Sequence, residues 1–367
     1  MSEKKRKGTP LWQISKKFNF AAEKIIPDSF VFCVVLTLVV AVLSLTVCHI
    51  GPVELLTSWW DGLSSQFTLA FQMGLMVVVC ATCARSPQVS KLLDGLSGLV
   101  HTRVAALILL MAFGYVSSML NWAFCTIVTP ILAMQLAKRV KGLHFPMMVA
   151  GGYCCMILGQ CLGPSATLYS NLATEGSNYA EIVGKTMTVA ETCYNPVNVV
   201  LWVILAVCFI VLVLFTQPGD DELVELRSIA TQADVAPKDY QSREKATTPA
   251  EKMNTCKPIM WVVGAAIFIY IIYSIATKGF FATLNMNMVI FMFVGINCFL
   301  FPQPHSWMEA HTDSMHLATD VILQFPFYGA IMGMMYVEGG LGSVIVNAIV
   351  SVATAQAMPI FSFLAAC

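Results

Sequence analysis

Between Arg103 and Lys138 the chain runs for 34 residues, Val104–Ala137, without a single charged side chain. One transmembrane helix needs roughly 20 apolar residues, at ~1.5 Å each, to cross a hydrocarbon layer ~30 Å thick. The run is therefore too long for one crossing and too short for two with a turn between them. Ser117, Ser118, Asn121 and Trp122 break it near its middle, and basic residues close both ends: Arg103 before, Lys138, Arg139 and Lys141 after. Basic residues stay on the cytoplasmic side of a membrane, so both ends lie on one side. The simplest shape is a re-entrant hairpin that enters, turns at Asn121-Trp122 and leaves the way it came. Irregular backbone at that depth is tolerated only within protein or beside a cavity. The tip is thus a candidate binding site.

The rest of the chain is built to match. Hydrophobic residues make up 57% of it, charged residues 11%, and mean hydropathy is +0.73, which defines an all-α polytopic membrane protein in the lipid bilayer. A net charge of zero offers nothing to a nucleic acid. The thirteen cysteines are scattered through apolar segments. Cys80 and Cys83 form a lone CxxC without the second pair that a zinc site needs, so they read as packing residues.

Residues 1–28 form a basic leader in which Leu11, Ile14, Phe18, Ala21, Ala22 and Ile25 recur at helical spacing. Such a helix lies on the cytoplasmic membrane surface. The basic start and the long first apolar run argue for a retained first span with the N-terminus inside. Spans are expected at 29–50, 67–84, 197–216, 258–277, 284–301 and 320–337, with 51–66 read as an outer loop. Residues 147–170 form a broken helix, interrupted at Gly159-Gln160-Cys161-Leu162-Gly163-Pro164-Ser165, because Gly and Pro together inside a span unwind its centre. Residues 217–257 read as a flexible cytoplasmic linker. With this topology every Lys and Arg except Lys185 and Lys278 falls inside, an asymmetry that supports the same-sided hairpin.

The two halves echo one another. Residues 29–216 form a first transmembrane repeat and 258–367 a second, incomplete one. Each contains a span with a central glutamine, Gln72 or Gln324. The first copy starts inside and the second outside, which gives inverted-topology repeats with re-entrant hairpins and a broken helix, the architecture of secondary transporters. By that symmetry a second hairpin should enter near Pro359, so the chain is expected to be a C-terminally truncated form of a longer protein.

Three motifs carry a family resemblance over nearly the whole chain: Asn121-Trp122-Ala123-Phe124; Glu191-Thr192 with Pro196 and Asn198; and Leu323-Gln324-Phe325-Pro326-Phe327-Tyr328 with Gly333. With these the chain resembles the short-chain fatty acid transporter family, of the bacterial acetoacetate and butyrate importer type. It departs from that family at Ala123 and Cys125, where glycine is usual, and near Gln160-Cys161. The resemblance implies a bacterial inner-membrane protein that takes up short monocarboxylates by cation symport and is not an enzyme. HExxH and GxSxG patterns are absent. No cofactor is implied beyond a coupling H+ or Na+, and a homo-oligomer is compatible with the sequence. The alternatives are a C4-dicarboxylate or other small organic anion transporter of the same superfamily, and a non-transporting membrane subunit.

A carboxylate near the bilayer centre costs at least ~2.5–3.5 kcal/mol unless it is compensated, yet no Lys or Arg lies within an expected span. Helix N-termini are the remaining source of positive potential. Two are on offer, after Asn121-Trp122 and at Pro164-Ser165. The substrate-binding candidates are therefore Asn121, Trp122, Phe124, Gly163, Ser165 and Thr167, with Gln324 and Tyr328 added by the resemblance. Asn121 and Ser165 are also good helix caps, and Gln72 and Gln324 could equally bond between helices. Glu191 and Asn198 are the ion-coupling candidates: burial would make Glu191 a proton carrier, while in solvent it would cap a helix. His305, His311 and His316 lack a metal-ligand spacing.

Overall fold

The computed structural model describes residues 8–159, 161–163, 169, 172, 173, 180, 183–229, 238, 240 and 247–352. Among them the secondary structure is helical, without strands. Six helices are long and apolar enough to cross a membrane, so the protein is an all-α polytopic membrane protein. By contact it divides into two compact units. The larger takes Met1–Asn19 and Leu75–Leu317, the smaller Phe20–Gly74 and Ala318–Cys367.

The smaller unit contains α2 (Ser29–Thr46), α3 (Pro52–Ser65), the start of α4 (Phe67–Ala84), α13 (Thr319–Tyr336) and α14 (Leu341–Val352). Asp28 caps α2 by accepting from the Phe30 N–H at 2.9 Å. The helix then exposes Val31, Phe32, Val35, Leu38 and Val42, the lipid-facing stripe of a span. The stretch expected to be an outer loop at 51–66 is instead helix α3. Pro52 begins it, where the missing N–H is no loss, and Gly51 is its N-cap. Within it Gly62 is a packing residue. A Cβ on Gly62 would collide with the Gly329 carbonyl and come within 2.9 Å of the Gly333 Cα. Gly329 and Gly333 are spaced as GxxxG, which lets two helix backbones approach closely in lipid. Phe327 fills the seam edge-on to Phe30 at 5.2 Å and Trp59 at 6.1 Å, beside buried Cys33, Leu55, Ile331 and Met334.

The larger unit is organised on three helices: α6 (Arg103–Leu120), α7 (Trp122–Arg139) and α8 (Phe145–Gly159). Thr102 caps α6 and Asn121 caps α7. Small residues again set the crossing. The Cys125 thiol donates to the Gly114 carbonyl at 3.3 Å, and a Cβ on Gly114 would lie 2.8 Å from that of Cys155 and 3.3 Å from Thr129. Gly114, seven residues before the tip, thus meets residues on the returning helix, so α6 and α7 are antiparallel. Leu110, Met111, Val128, Leu132, Leu136 and Met148 fill the interior. Around it stand α5 (Pro87–Ser97), α9 (Pro196–Phe215), α10 (Lys257–Lys278), α11 (Met286–Leu300) and α12 (Pro304–Thr312). The last carries His305 and His311.

Helix α1 (Pro10–Ile25) forms as its spacing implies. The first part of the expected flexible linker is anchored rather than free. Glu222 accepts from both the Trp12 indole and Lys16. Glu225 accepts from the Gly142 N–H at 2.7 Å, and the Val224 N–H donates to His144 Nδ1 at 3.0 Å. Burial lowers the His144 pKa, which keeps the ring neutral and able to accept. Composition marks such a segment as polar, but its partners are 80 or more residues away.

Because the α3–α13 seam has no spare volume, Gly62→Val should destabilise the protein by at least ~1–3 kcal/mol through overpacking. Thermal unfolding of the purified protein in detergent should show a lowered Tm for Gly62→Val and an unchanged one for Gly95→Val, since Gly95 faces open space.

Candidate functional site

The hairpin tip is a single non-helical residue. Asn121 is extended, with φ −163° and ψ 133°, and fully buried. Its N–H still closes α6 on the Ser117 carbonyl at 3.0 Å, and its carbonyl accepts the Cys125 N–H at 3.1 Å. Its side-chain oxygen accepts from the Ala123 N–H at 2.8 Å and the Phe124 N–H at 3.1 Å. One residue therefore ends one helix and begins the next, as an asparagine at N-cap does. The amide nitrogen rests on Met76 Sδ at 3.0 Å, and the Cys80 thiol donates to Oδ1 at 3.4 Å. Phe124 lies against Phe293 at 5.5 Å. The Trp122 indole N–H is buried without a hydrogen-bond partner among the described residues. An unmet donor beside a helix start is suited to receive an anion.

The end of α8 meets the hairpin tip. Helix α8 ends at Gly159, whose carbonyl accepts from the Leu162 and Gly163 N–H groups at 3.2 and 2.8 Å. A Cβ on Gly159 would collide with the Ser118 side chain, and one on Gly163 would lie 3.1 Å from the Ser118 carbonyl. Gly163, Asn121 and Trp122 are thus brought into one neighbourhood. Pro164, Ser165 and Thr167, expected to complete the second helix start, lie outside the described residues.

Asn198 closes this end of α8. Its amide donates to the Cys161 carbonyl at 2.6 Å and the Cys193 carbonyl at 2.7 Å. One turn further along α9, the Trp202 indole donates to the Leu158 carbonyl at 2.9 Å. The carbonyls released by the break are therefore met by side chains. Glu191 does not have the burial that a proton carrier requires. It is exposed and forms a capping box with Thr188, accepting from the Thr188 N–H at 2.8 Å and the Thr188 hydroxyl at 3.0 Å. Those bonds lower its pKa from the model-compound value of 4.5, with a smaller contribution from Lys185, so it is ionised at neutral pH. Gln324 and Tyr328 belong to the smaller unit, where the Tyr328 hydroxyl donates to Gln324 Oε1 at 3.1 Å one turn away. His305 and His316 are exposed, while His311 stacks on Trp307 at 5.1 Å. No cluster of three metal-ligating side chains occurs among the described residues.

One residue of this region escaped the sequence reading. Asn297, in the middle of the apolar run 284–301, is fully buried and donates to the Val79 carbonyl at 2.8 Å; its side-chain oxygen has no partner among the described residues. The signal was an amide within a span, which is costly in lipid and rarely idle.

A helical hairpin turning on one buried residue, met by a helix end inside a multi-pass bundle, defines a membrane protein of the kind that moves small solutes. The family model for "Short chain fatty acid transporter" matches residues 11–367, and the chain belongs to that family. A relative from Escherichia coli (strain K12), named "Putative short-chain fatty acid transporter", is 26% identical over 353 residues, covering 96% of this chain and 78% of the relative. A second of the same name, from Haemophilus influenzae, is 26% identical over 360 residues with the same coverage. No solved structure matches.

Two outcomes follow from this geometry. Asn198→Asp, which places an acceptor against two carbonyls, should lower the Tm more than Asn198→Ala, which only removes the donors at a cost of about 1–3 kcal/mol. As to pH, the depressed pKa of Glu191 makes its stabilising contribution complete above the unfolded value and lost only as pH falls through the folded one. Glu191→Gln should therefore leave the pH profile of transport unchanged above about pH 5. A displaced profile would restore a coupling role to this carboxylate.

Proposed function

We propose that this chain is a secondary active transporter that takes up short-chain monocarboxylates, such as butyrate or acetoacetate, together with a cation. The observation that carries the reading is the junction of two broken segments at Asn121-Trp122 and Gly159–Gly163, in a chain whose family and relatives are named for short-chain fatty acid transport.

The proposed chemistry needs no basic side chain in the span. The Trp122 indole N–H is a ready donor to a carboxylate. The Asn121 carboxamide oxygen now occupies the Ala123 and Phe124 N–H groups, as a substrate carboxylate would have to. Binding would displace that oxygen and exchange two hydrogen bonds to a neutral acceptor for two to a charged one, which are roughly twice as strong. The Phe124 and Phe293 rings would cover a short acyl chain but offer little to a second carboxylate. Entry of an anion against a negative-inside potential is opposed by ~2.3 kcal/mol per 100 mV, so a co-transported H+ or Na+ is part of the proposal. Uptake of this kind would place the protein in the bacterial inner membrane with its N-terminus in the cytoplasm.

The test is uptake of labelled butyrate into proteoliposomes of the purified protein under an imposed inward H+ or Na+ gradient. Gradient-dependent accumulation is expected. Trp122→Phe, which keeps the ring and loses the N–H, should lower kcat/KM by about 10-fold, the equivalent of ~1.4 kcal/mol. Absence of monocarboxylate accumulation under both gradients would overturn the proposal.

A further inference from the structure

At the end of α10 away from Lys257 the chain reverses at Gly279, whose φ of +87° is in the left-handed region. It makes one short turn, Phe280–Thr283, and enters α11 behind the Asn285 cap. The Thr283 hydroxyl, bonded to the Ser274 carbonyl at 3.1 Å and the Gly279 carbonyl at 2.8 Å, fixes that reversal. A cavity of about 370 Å³ opens beside it, lined by Tyr270, Ser274 and Lys278 from α10 and by Asn285, Asn287 and Phe291 from the other side. Its size is within the range of about 300–1,000 Å³ typical of small-molecule sites.

Three observations bear on what could fill it. Lys278 is the cavity's only charged lining residue among those described, and no carboxylate of a described residue lies within 4.0 Å of it. Ser274 is 3% exposed and lines the same cavity, and its carbonyl accepts from the Thr277 and Thr283 hydroxyls. The apolar side is aromatic, with Tyr270 and Phe291 edge to face at 5.9 Å. A cation, a hydroxyl-bearing side chain and an aromatic wall lining one cavity together suit a small monoanion with a short apolar flank.

We propose that this cavity is an anion-binding subsite, distinct from the hairpin tip, which holds a carboxylate or phosphate group on Lys278 and Ser274 with its apolar neighbour against Tyr270 and Phe291. The anion has two possible sources: a short carboxylate in solution, or the headgroup phosphate of an anionic lipid. Both present the same chemistry to these residues, and the site does not depend on the transport reading above.

Binding to the whole chain, without transport, tests this. The wild type, Lys278→Gln and Ser274→Ala would be reconstituted in nanodiscs of phosphatidylcholine alone, with butyrate binding followed by saturation-transfer NMR. In parallel, retention of phosphatidylglycerol from mixed-lipid nanodiscs would be read by native mass spectrometry. Lys278 is exposed and without an ion pair among the described residues, so Lys278→Gln should unfold at the wild-type temperature. A soluble carboxylate as occupant predicts that Lys278→Gln weakens butyrate binding about 10-fold and Ser274→Ala about 3-fold, with phosphatidylglycerol retention unchanged. A lipid as occupant predicts the reverse pattern, lost phosphatidylglycerol retention with butyrate binding intact. Trp122→Phe should leave the Lys278-dependent component untouched, which separates this cavity from the hairpin tip. If both variants match the wild type in both arms, or the wild type binds neither ligand, the subsite does not exist.

Discussion

Lipid offers no water to a backbone N–H or carbonyl, so a helix can be interrupted within a membrane only where something else completes its hydrogen bonds. Everything distinctive about the larger unit follows from how that requirement is met at two places. At Asn121 one buried residue meets it, with the main chain closing α6 and the side chain opening α7. After Gly159 it is met from outside, by Asn198 and Trp202 reaching across from α9. The two solutions differ in what they leave over. The first leaves the Trp122 indole N–H unmet, while the second spends its donors on carbonyls.

This difference decides what chemistry is available. A site that must accept an anion without a basic side chain depends on N–H groups, and these lie at the start of α7 rather than at the end of α8. In the proposed site the Asn121 oxygen would hold two of them in reserve. A neutral cap occupying an anion's place keeps the helix start satisfied when the site is empty, at the strength of an ordinary hydrogen bond of about 0.5–1.5 kcal/mol net. A stronger cap such as aspartate would compete with the substrate, and an apolar residue would leave the donors bare. Asparagine lies between these extremes. The close contact of Gly159 and Gly163 with Ser118 fixes the tip's position, because neither glycine puts a side chain of its own into the crossing.

The hairpin was legible because its signals are local: a charge-free length fitting no whole number of crossings, and a capping residue within it. Fold class was legible for the same reason, since spans are written in composition. Three things were not. Helix α3 was read as an outer loop because the stretch carries Glu54 and Asp61 beside the spans, while the Gly329–Gly333 backbone that Gly62 admits lies far off in sequence. The anchoring of 217–225 was hidden because its partners, Trp12, Gly142 and His144, are far off in sequence. Asn297 was passed over as one polar residue in a span, since only the packed structure shows which carbonyl it meets. For Glu191 the sequence left burial and helix capping open, and Thr188 three residues earlier, the other half of a capping box, is what decides between them.

The smaller unit adds a constraint of assembly. Its principal seam joins Gly62 on α3 to Gly329 and Gly333 on α13, residues separated by about 270 positions of chain. Loop-closure entropy rises slowly with separation, so the distance costs little in final stability, but it orders the folding events. Until α13 has been made and inserted, α3 must wait with its glycine face uncovered. A bare glycine face in lipid is tolerable, because it loses only packing, whereas an unpaired polar face would lose several kcal/mol per group. Small apolar residues are therefore suited to a late contact in a membrane, and the polar junctions at Asn121 and Gly159 to early ones. That division matches the chain: α6, α7 and α8 follow one another directly, and each interruption finds its partners within about 45 residues.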